Sequence, residues 1–576
     1  MKLCIMVVTQ GLEERNMRKR NVAMVCMAFA LAGCSSSATT NSNQEQTLTV
    51  GLSSEMNGDF SPLYYRTTND ASVVSLVYQS LLKYDEKQNL VCDLASELPL
   101  ISEDGTSITF KLKKGIQFSD GTKFTSKDVK DTFSVMADPS YTGLYSSKVD
   151  FLQGYNDYHD GDAKEFAGIE TPDDYTVVFH LEKPRIDAEA AIGTQCICSD
   201  KTLDYTKGKT SKIEKKNTKP VGTGPYVLKS YDKSVGASLE KNEHFKAKKG
   251  TYSVSKIMIK KTDSSTEVKE LEKGTIDYIP EVTDANKISS VKKSDNKDLT
   301  LDSYNGDREN WMYLNMTQGP CQDQAVRQAL AYGFDRQSYI DSYYKLEGSD
   351  EVMAYIPQAF GNPVSKNCGD IITGKETLDG LDTYEYNPEK AKQLLEDAGW
   401  KVGDDGYRYK DGKKLTIRFL SIKEKDNMDS MIPILQKNWN DIGVELKAST
   451  MEFNSVVSTI SDENALSDWD AGWLGFSYGS PEDTGVNYLI KSKAIDNFPR
   501  LNDEELDADL DAATYTADSE QSAQYFKKAL IRQADLCGFI PTDGVKVYGL
   551  RNKKVKGMHT TSTYRWYNSL ETVKIK

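Results

Sequence analysis

Nine cysteines, four histidines and 86 acidic side chains are the groups with which this 576-residue chain could do chemistry. Their spacing argues against most of it. His159, His180, His244 and His559 stand far apart, and no two have the spacing of metal ligands. Cys196-Ile197-Cys198 comes nearest to a metal or redox pair, but one such pair without a second cluster is a weak signal, and it reads as structural or free thiols. There is no His-Glu-x-x-His and no Gly-x-Ser-x-Gly. Gly222-Thr223-Gly224-Pro225 has the glycines of a phosphate loop, yet its proline blocks a helix-opening nest and no Lys-Ser/Thr follows. Asp173-Asp174 and Asp503-Glu504-Glu505 read as turns or solvated helix starts. The expectation is a binding protein, with no catalytic residue, no cofactor and no metal.

The elements that must position any binding groups alternate between strand and helix, which indicates an α/β class. Thr47–Leu52 and Ser107–Leu112 alternate polar and apolar residues as strands do. Thr125–Met136 reads as a helix capped by Thr125 or Ser126, with Val129, Phe133 and Met136 on one face. Asp323–Tyr343 reads as one long helix with a stripe of Val326, Ala329, Leu330, Phe334 and Ile340. Asn387-Pro388-Glu389 opens another, with Asn as cap and Pro in the first turn, and Gly399 closes it. Lys207–Lys219 is a polar, lysine-rich run that reads as an exposed loop.

Cys34 differs from the other cysteines. Before it lie the basic cluster Arg18-Lys19-Arg20 and an eleven-residue apolar run from Val22 to Ala32; after it come the small residues Ser35 to Thr40. This order resembles a bacterial lipoprotein signal. The resemblance implies that Cys34 becomes the mature N-terminus and carries a thioether-linked diacylglycerol. Eleven apolar residues fall short of the roughly 20 that span a bilayer. Met17 sits directly before the basic cluster and offers a second start that would give a signal of ordinary length. Each buried methylene contributes roughly 0.8 kcal/mol, and two acyl chains anchor a protein durably. Residues 35–46 would then be a polar tether with a reach of roughly 20 Å, holding the body at the extracytoplasmic face of the membrane.

About 540 residues follow, more than one core of roughly 250–300 residues accommodates, so at least two domains are expected. The whole chain carries a net charge of −14; residues 1–34 hold five basic and two acidic side chains, which leaves −17. Such a surface repels phosphate and excludes nucleic acid as a partner. The six later cysteines, Cys92, Cys196, Cys198, Cys321, Cys368 and Cys537, permit disulfides without fixing any pairing.

Five segments in order carry a further resemblance. They are Asp104–Val129, Pro220–Leu228 with its Gly-Thr-Gly-Pro-Tyr core, Tyr313-Leu314-Asn315 followed by Asp323–Arg336, Asn387–Trp400, and Asp468-Trp-Asp-Ala-Gly-Trp473. Together they resemble family 5 of the bacterial extracellular solute-binding proteins, the oligopeptide, dipeptide and nickel receptors of ABC importers. The resemblance implies an α/β, two-lobe periplasmic-binding-protein type II fold with an extra inserted subdomain and two hinge strands. The layout it implies is a signal at 1–33, the lipidated Cys and tether at 34–46, and lobe one at 47–307. The inserted subdomain would cover about 73–190, lobe two 308–540, and a return to lobe one 541–576. The implied work is capture of a peptide or other small organic ligand, by a monomer, for delivery to ABC permease subunits through hinge closure. A non-peptide solute such as a sugar or metal chelate, or a peptide pheromone sensed for signalling, stays open.

Carried over by position, the same resemblance places ligand-facing residues. Tyr65, Arg66, Thr67, Thr68 and Asn69 would face the cleft from lobe one, with Tyr145 from the inserted subdomain. Tyr313 lies next to the first hinge strand. Phe453, Trp473, Phe476 and Tyr478 would face the cleft from lobe two. Arg66, if it faces the cleft, suits a carboxylate. Peptide receptors of the family carry an Asp three residues after the Trp, paired with the peptide's amino group; here that position is Phe476. Asp470, Glu482 and Asp483 are the nearby acids that could replace it.

Overall fold

A computed structural model describes residues 46–576, apart from 216–217, 424, 479–480, 482–486 and 495. Cys34, the signal, most of the tether, Glu482 and Asp483 therefore lie outside the described residues. Among those described, no helix is long and apolar enough to cross a membrane.

One eleven-stranded sheet runs through the whole body. At one end lie Tyr226–Asp232, Gly236–Lys241, Lys256–Lys261, Thr47–Leu52 and Tyr278–Val282; at the other lie Glu445–Met451, Thr416–Ile422 and Ala471–Ser477. Two long strands join the ends. Leu299–Leu314 and Phe539–Asn552 pair antiparallel over almost their whole length, from Leu299 opposite Asn552 to Tyr313 opposite Phe539. Near Arg551 the second strand also pairs with Tyr278. From Arg308 to Leu314 the first strand pairs with Ala471–Ser477. Each long strand thus starts against one set of neighbours and finishes against another. The ladder slips twice between the two halves, between Asn305 and Glu309 and between Asn310 and Trp311. Such slips bend and twist a strand locally, as a hinge requires.

Apolar side chains gather on either side of this crossing. One core draws on Leu48, Val74, Phe133, Phe179, Ile257 and, from the far end of the chain, Trp566 and Leu570. Another draws on Trp311, Leu330, Leu395, Phe419, Trp439, Trp469 and Phe539. A smaller cluster under the long strands joins Leu271, Ile279, Leu346, Met353, Tyr548 and Leu550. A separate four-stranded antiparallel sheet, Leu100–Ile101, Ser107–Lys111, Thr176–His180 and Ile169–Asp173, lies off the main sheet.

Local signals account for most of the elements. The helix Ser126–Met136 starts at Thr125, whose N–H donates to the Asp128 carboxylate at 2.7 Å. Val129, Phe133 and Met136 are fully buried. The helix Pro388–Asp397 starts at Asn387, whose Oδ1 accepts the Lys390 N–H at 2.9 Å, and Gly399 follows with φ +86°. Lys207–Lys219 holds the single turn Ser211–Glu214 with Thr210 and Ile213 buried, so only part of it is exposed loop. One expectation is corrected outright. Asp323–Tyr343 is two helices, Gln324–Tyr332 and Arg336–Tyr343. Asp335 starts the second, its carboxylate accepting the Ser338 N–H at 2.9 Å. At the break, Gly333 lies so close to Ile442 that a Cβ would come within 2.7 Å of it. The turn also frees Arg336, which is buried and donates to the carbonyls of Pro357, Pro541, Thr383 and Tyr384 at 2.6–3.2 Å. An unbroken helix would aim that guanidinium elsewhere and leave those carbonyls unmet.

The described cysteines, Cys92, Cys196, Cys198, Cys321, Cys368 and Cys537, are all free thiols. Burial pushes the Cys196 thiol up to about 12, too high to supply a thiolate for metal or redox work at neutral pH.

Candidate ligand cleft

The segment before the helix Thr68–Val77 is held by one carboxylate. Asp70, fully buried, accepts from Asn57 N at 3.2 Å, Gly58 N at 3.0 Å and Thr67 Oγ1 at 2.6 Å. Thr67 caps that helix by accepting the Asp70 N–H at 3.1 Å. Asn69 donates to the Ser54 and Glu55 carbonyls and to the Ser54 hydroxyl. Thr67 and Asn69 thus hydrogen-bond to backbone and side-chain groups of the neighbouring Ser54, Glu55 and Asp70. Thr68 is exposed in the first turn.

Tyrosines from the following segment staple the same loop. The Tyr141 hydroxyl donates to Leu63 O at 2.5 Å and the Tyr145 hydroxyl to Tyr65 O at 2.9 Å. The Tyr65 and Tyr145 rings lie 5.1 Å apart. Burial raises both phenols above their ordinary range, so each stays a neutral donor. Arg66 is exposed and donates to Thr142 O at 3.2 Å. Tyr65, Arg66 and Tyr145 therefore converge on one place.

In the other half, the expected residues separate by burial. Tyr313 is completely buried between Trp469 at 5.4 Å and Phe498 at 6.1 Å, so its ring fills the core. Asp470 is also completely buried, and Arg418 grips it through Nη2 at 2.7 Å and Nε at 2.8 Å. That bidentate pair occupies both carboxylate oxygens, so Asp470 is not a spare partner for an amine. Trp473 is 4% exposed and donates its indole N–H to Thr542 Oγ1 at 3.2 Å. Phe476 and Tyr478 are half-buried, with rings 5.3 Å apart. Phe453 opens the helix Phe453–Ser461 and is 51% exposed.

Reading the sequence did not single out the polar network at the strand crossing. The Thr542 hydroxyl donates to Asp543 Oδ1 at 2.8 Å. Asp543 Oδ2 accepts from Asn310 Nδ2 at 2.5 Å and from the Tyr344 hydroxyl at 2.7 Å. Asp543 is fully buried, and burial raises its pKa. A few residues away, Arg565 bridges Glu281 at 2.6 Å and Asp307 at 3.2 Å. The available signal was the run Asp307-Arg-Glu-Asn310 directly before the apolar segment Trp311-Met-Tyr-Leu314.

The two halves also touch across the cleft. Ile186 N donates to Thr514 O at 3.0 Å, Lys183 Nζ lies 5.3 Å from the Tyr515 ring centre, and Lys366 Nζ lies 5.6 Å from that of Tyr84. Two cavities lie along this seam. One of about 310 Å³ runs between Ile108, Arg185 and Ile186 and the opposing Lys366, Pro481 and Ala517. One of about 630 Å³ runs between Glu86, Tyr304 and Thr561 and the opposing Ser365, Lys366 and Asp370. Lys366 borders both.

Residues 89–498 match the family described as bacterial extracellular solute-binding proteins, family 5. The chain belongs to that family. Among curated relatives, this family 5 protein is 26% identical over 541 residues to the oligopeptide-binding protein AppA of Bacillus subtilis, covering 89% of this chain and 91% of AppA. It is 26% identical over 565 residues to the heme-binding protein A of Haemophilus influenzae, covering 94% of this chain and 96% of the relative. Its fold matches the crystal structure of the ABC transporter substrate-binding protein CtaP of Listeria monocytogenes with a TM-score of 0.75 and 21% identity, covering 92% of this chain and 99% of CtaP. The family 5 protein therefore has the α/β, two-lobe type II periplasmic-binding fold, its lobes joined by Leu299–Leu314 and Phe539–Asn552.

Proposed function

We propose that this family 5 protein captures oligopeptides between its lobes, is held outside the bacterial membrane by a lipid on Cys34, and delivers its ligand to an ABC importer. Lobe one is taken as 47–307 with the inserted subdomain at about 73–190, lobe two as 308–540, and 541–576 as the return to lobe one. The observation that carries the reading is the pair of long strands whose ladder slips between the lobes at Asn305–Glu309 and Asn310–Trp311. A guest touching both lobes stabilises the closed arrangement over the open one, and the bent crossing is where the chain can rotate. Paired aromatic rings on each side, Tyr65 with Tyr145 and Phe476 with Tyr478, support a roomy pocket that tolerates varied side chains. The resemblance to AppA supports a peptide ligand; the resemblance to heme-binding protein A makes a heme the main alternative.

Native mass spectrometry of protein purified without denaturation tests the ligand. Peptides of mixed sequence are expected. A single heme, sugar or metal chelate would overturn the peptide reading. Co-purification with membrane permease subunits tests delivery against signalling.

A further inference from the structure

Glu309 has no exposed surface. Its Oε2 accepts the Gly361 N–H at 2.9 Å, while its buried Oε1 has no hydrogen-bond partner among the described residues. The Tyr355 hydroxyl is buried and likewise has no partner among the described residues. These two groups share one row of the sheet. Glu309 stands opposite Gly544 on one side, and Tyr355 stands opposite Gly544 on the other. Directly opposed residues of antiparallel strands point to the same face. Gly544 puts nothing between them. A Cβ there would lie 2.2 Å from Tyr355 Cζ and 2.4 Å from its hydroxyl, so the phenol lies across the glycine. In the other direction the row ends on Phe476, directly opposite Glu309.

A buried carboxylate oxygen and a buried phenol left unmet by the described residues call for a partner from elsewhere. Among the described residues, no lysine or arginine bears on Glu309. Burial, with a smaller push from Asp543, raises its pKa well above the usual carboxylate range. An incoming cation would supply what is missing.

We propose that Glu309 and Tyr355 form a subsite for a primary ammonium group of the ligand, with Glu309 as its ionic partner and the Tyr355 oxygen as a second acceptor. The proposal rests on the peptide-receptor reading above and specifies where a free amino end sits. An ammonium carries three donors, and these two side chains offer it two acceptors in one place. The carboxylate missing at position 476 is then found one strand across, and Phe476 forms the apolar wall beside it. Gly544 is required by the close approach of the Tyr355 ring.

The test is calorimetric titration of wild type, E309Q and Y355F with alanine peptides of two to nine residues, each with a free or an N-acetylated amino end. Wild type should bind the free form at least tenfold more tightly. E309Q should lose at least tenfold for the free form and keep its affinity for the acetylated one; Y355F should show a smaller loss of the same selectivity. E309Q should melt no lower than wild type without peptide, because an unmet buried acid is removed. Equal wild-type binding of both forms, or an unchanged free-to-acetylated ratio in E309Q, would overturn the subsite and leave the peptide reading standing. Failure of wild type to bind any of the peptides would overturn both. A lower melting temperature for ligand-free E309Q would assign Glu309 a structural role and overturn the subsite.

Discussion

Arg565 holds Asp307 through a hydrogen bond of 3.2 Å, inside the slip between Asn305 and Glu309 of the long strand Leu299–Leu314. The Asp307 carbonyl accepts the Tyr478 N–H at 3.0 Å, so the same residue also meets the end of the strand Ala471–Ser477. Arg565 also donates to Glu281 at 2.6 Å. Removing the guanidinium leaves two acids, Glu281 and Asp307, without their shared cation. R565M should lower unfolding stability by about 2 kcal/mol, measured by urea titration, because charge-assisted hydrogen bonds are lost. R565K should recover only part of it, since an ammonium lacks the planar fork that bridges two carboxylates.

Trp473 is tied to the second long strand by its indole N–H, so its substitution should act on stability before it acts on binding. W473A should cost about 3–5 kcal/mol in a urea titration, the range for removing a buried large aromatic. W473F should cost less, keeping most of the apolar volume and losing the bond to Thr542. A W473A protein as stable as wild type, with weakened peptide binding, would place the ring in the pocket instead.

Asp128 gives a pH dependence with a defined sign. Burial raises its pKa to about 6 from the ordinary value of about 4, although the N–H groups of Asp200 and Thr125 pull the other way. The folded chain holds this proton more tightly than the unfolded chain. Its stabilising contribution is therefore complete below pH 4 and is lost as the pH rises through about 6. Wild type should lose stability relative to D128N between pH 4 and pH 7. A pH-independent difference between the two proteins would refute the assignment.

Tyr145 secures the loop that carries Tyr65 and Arg66. Y145F removes one hydrogen bond to the Tyr65 carbonyl and keeps the ring contact, so it should cost about 1 kcal/mol. Hydrogen exchange should speed up at the amides of Tyr64 and Tyr65, which donate to the Ser61 carbonyl at 3.1 and 3.0 Å. Unaltered exchange there would mean that the Tyr145 hydroxyl does not hold the loop.

The alternating strand Thr47–Leu52, the capped helices Ser126–Met136 and Pro388–Asp397, and the family itself were all legible in the sequence. Each depends on neighbours within a few residues, or on several short segments kept in order. Side-chain roles were not legible in that way. Thr67 and Asn69, expected at the ligand, cap a helix and tie a loop. Tyr313 fills the core and Asp470 is taken by Arg418. Whether a tyrosine or carboxylate is buried, and against what, depends on strands far apart in the chain. The row Phe476, Glu309, Gly544, Tyr355 comes from residues up to 235 positions apart, and no local pattern records it. The sequence by itself determined the α/β class, the order of segments and the family. Only the tertiary structure decided which acids are already paired and which buried oxygen is left without a partner, because pairing is a property of the packed sheet and not of the chain's spacing.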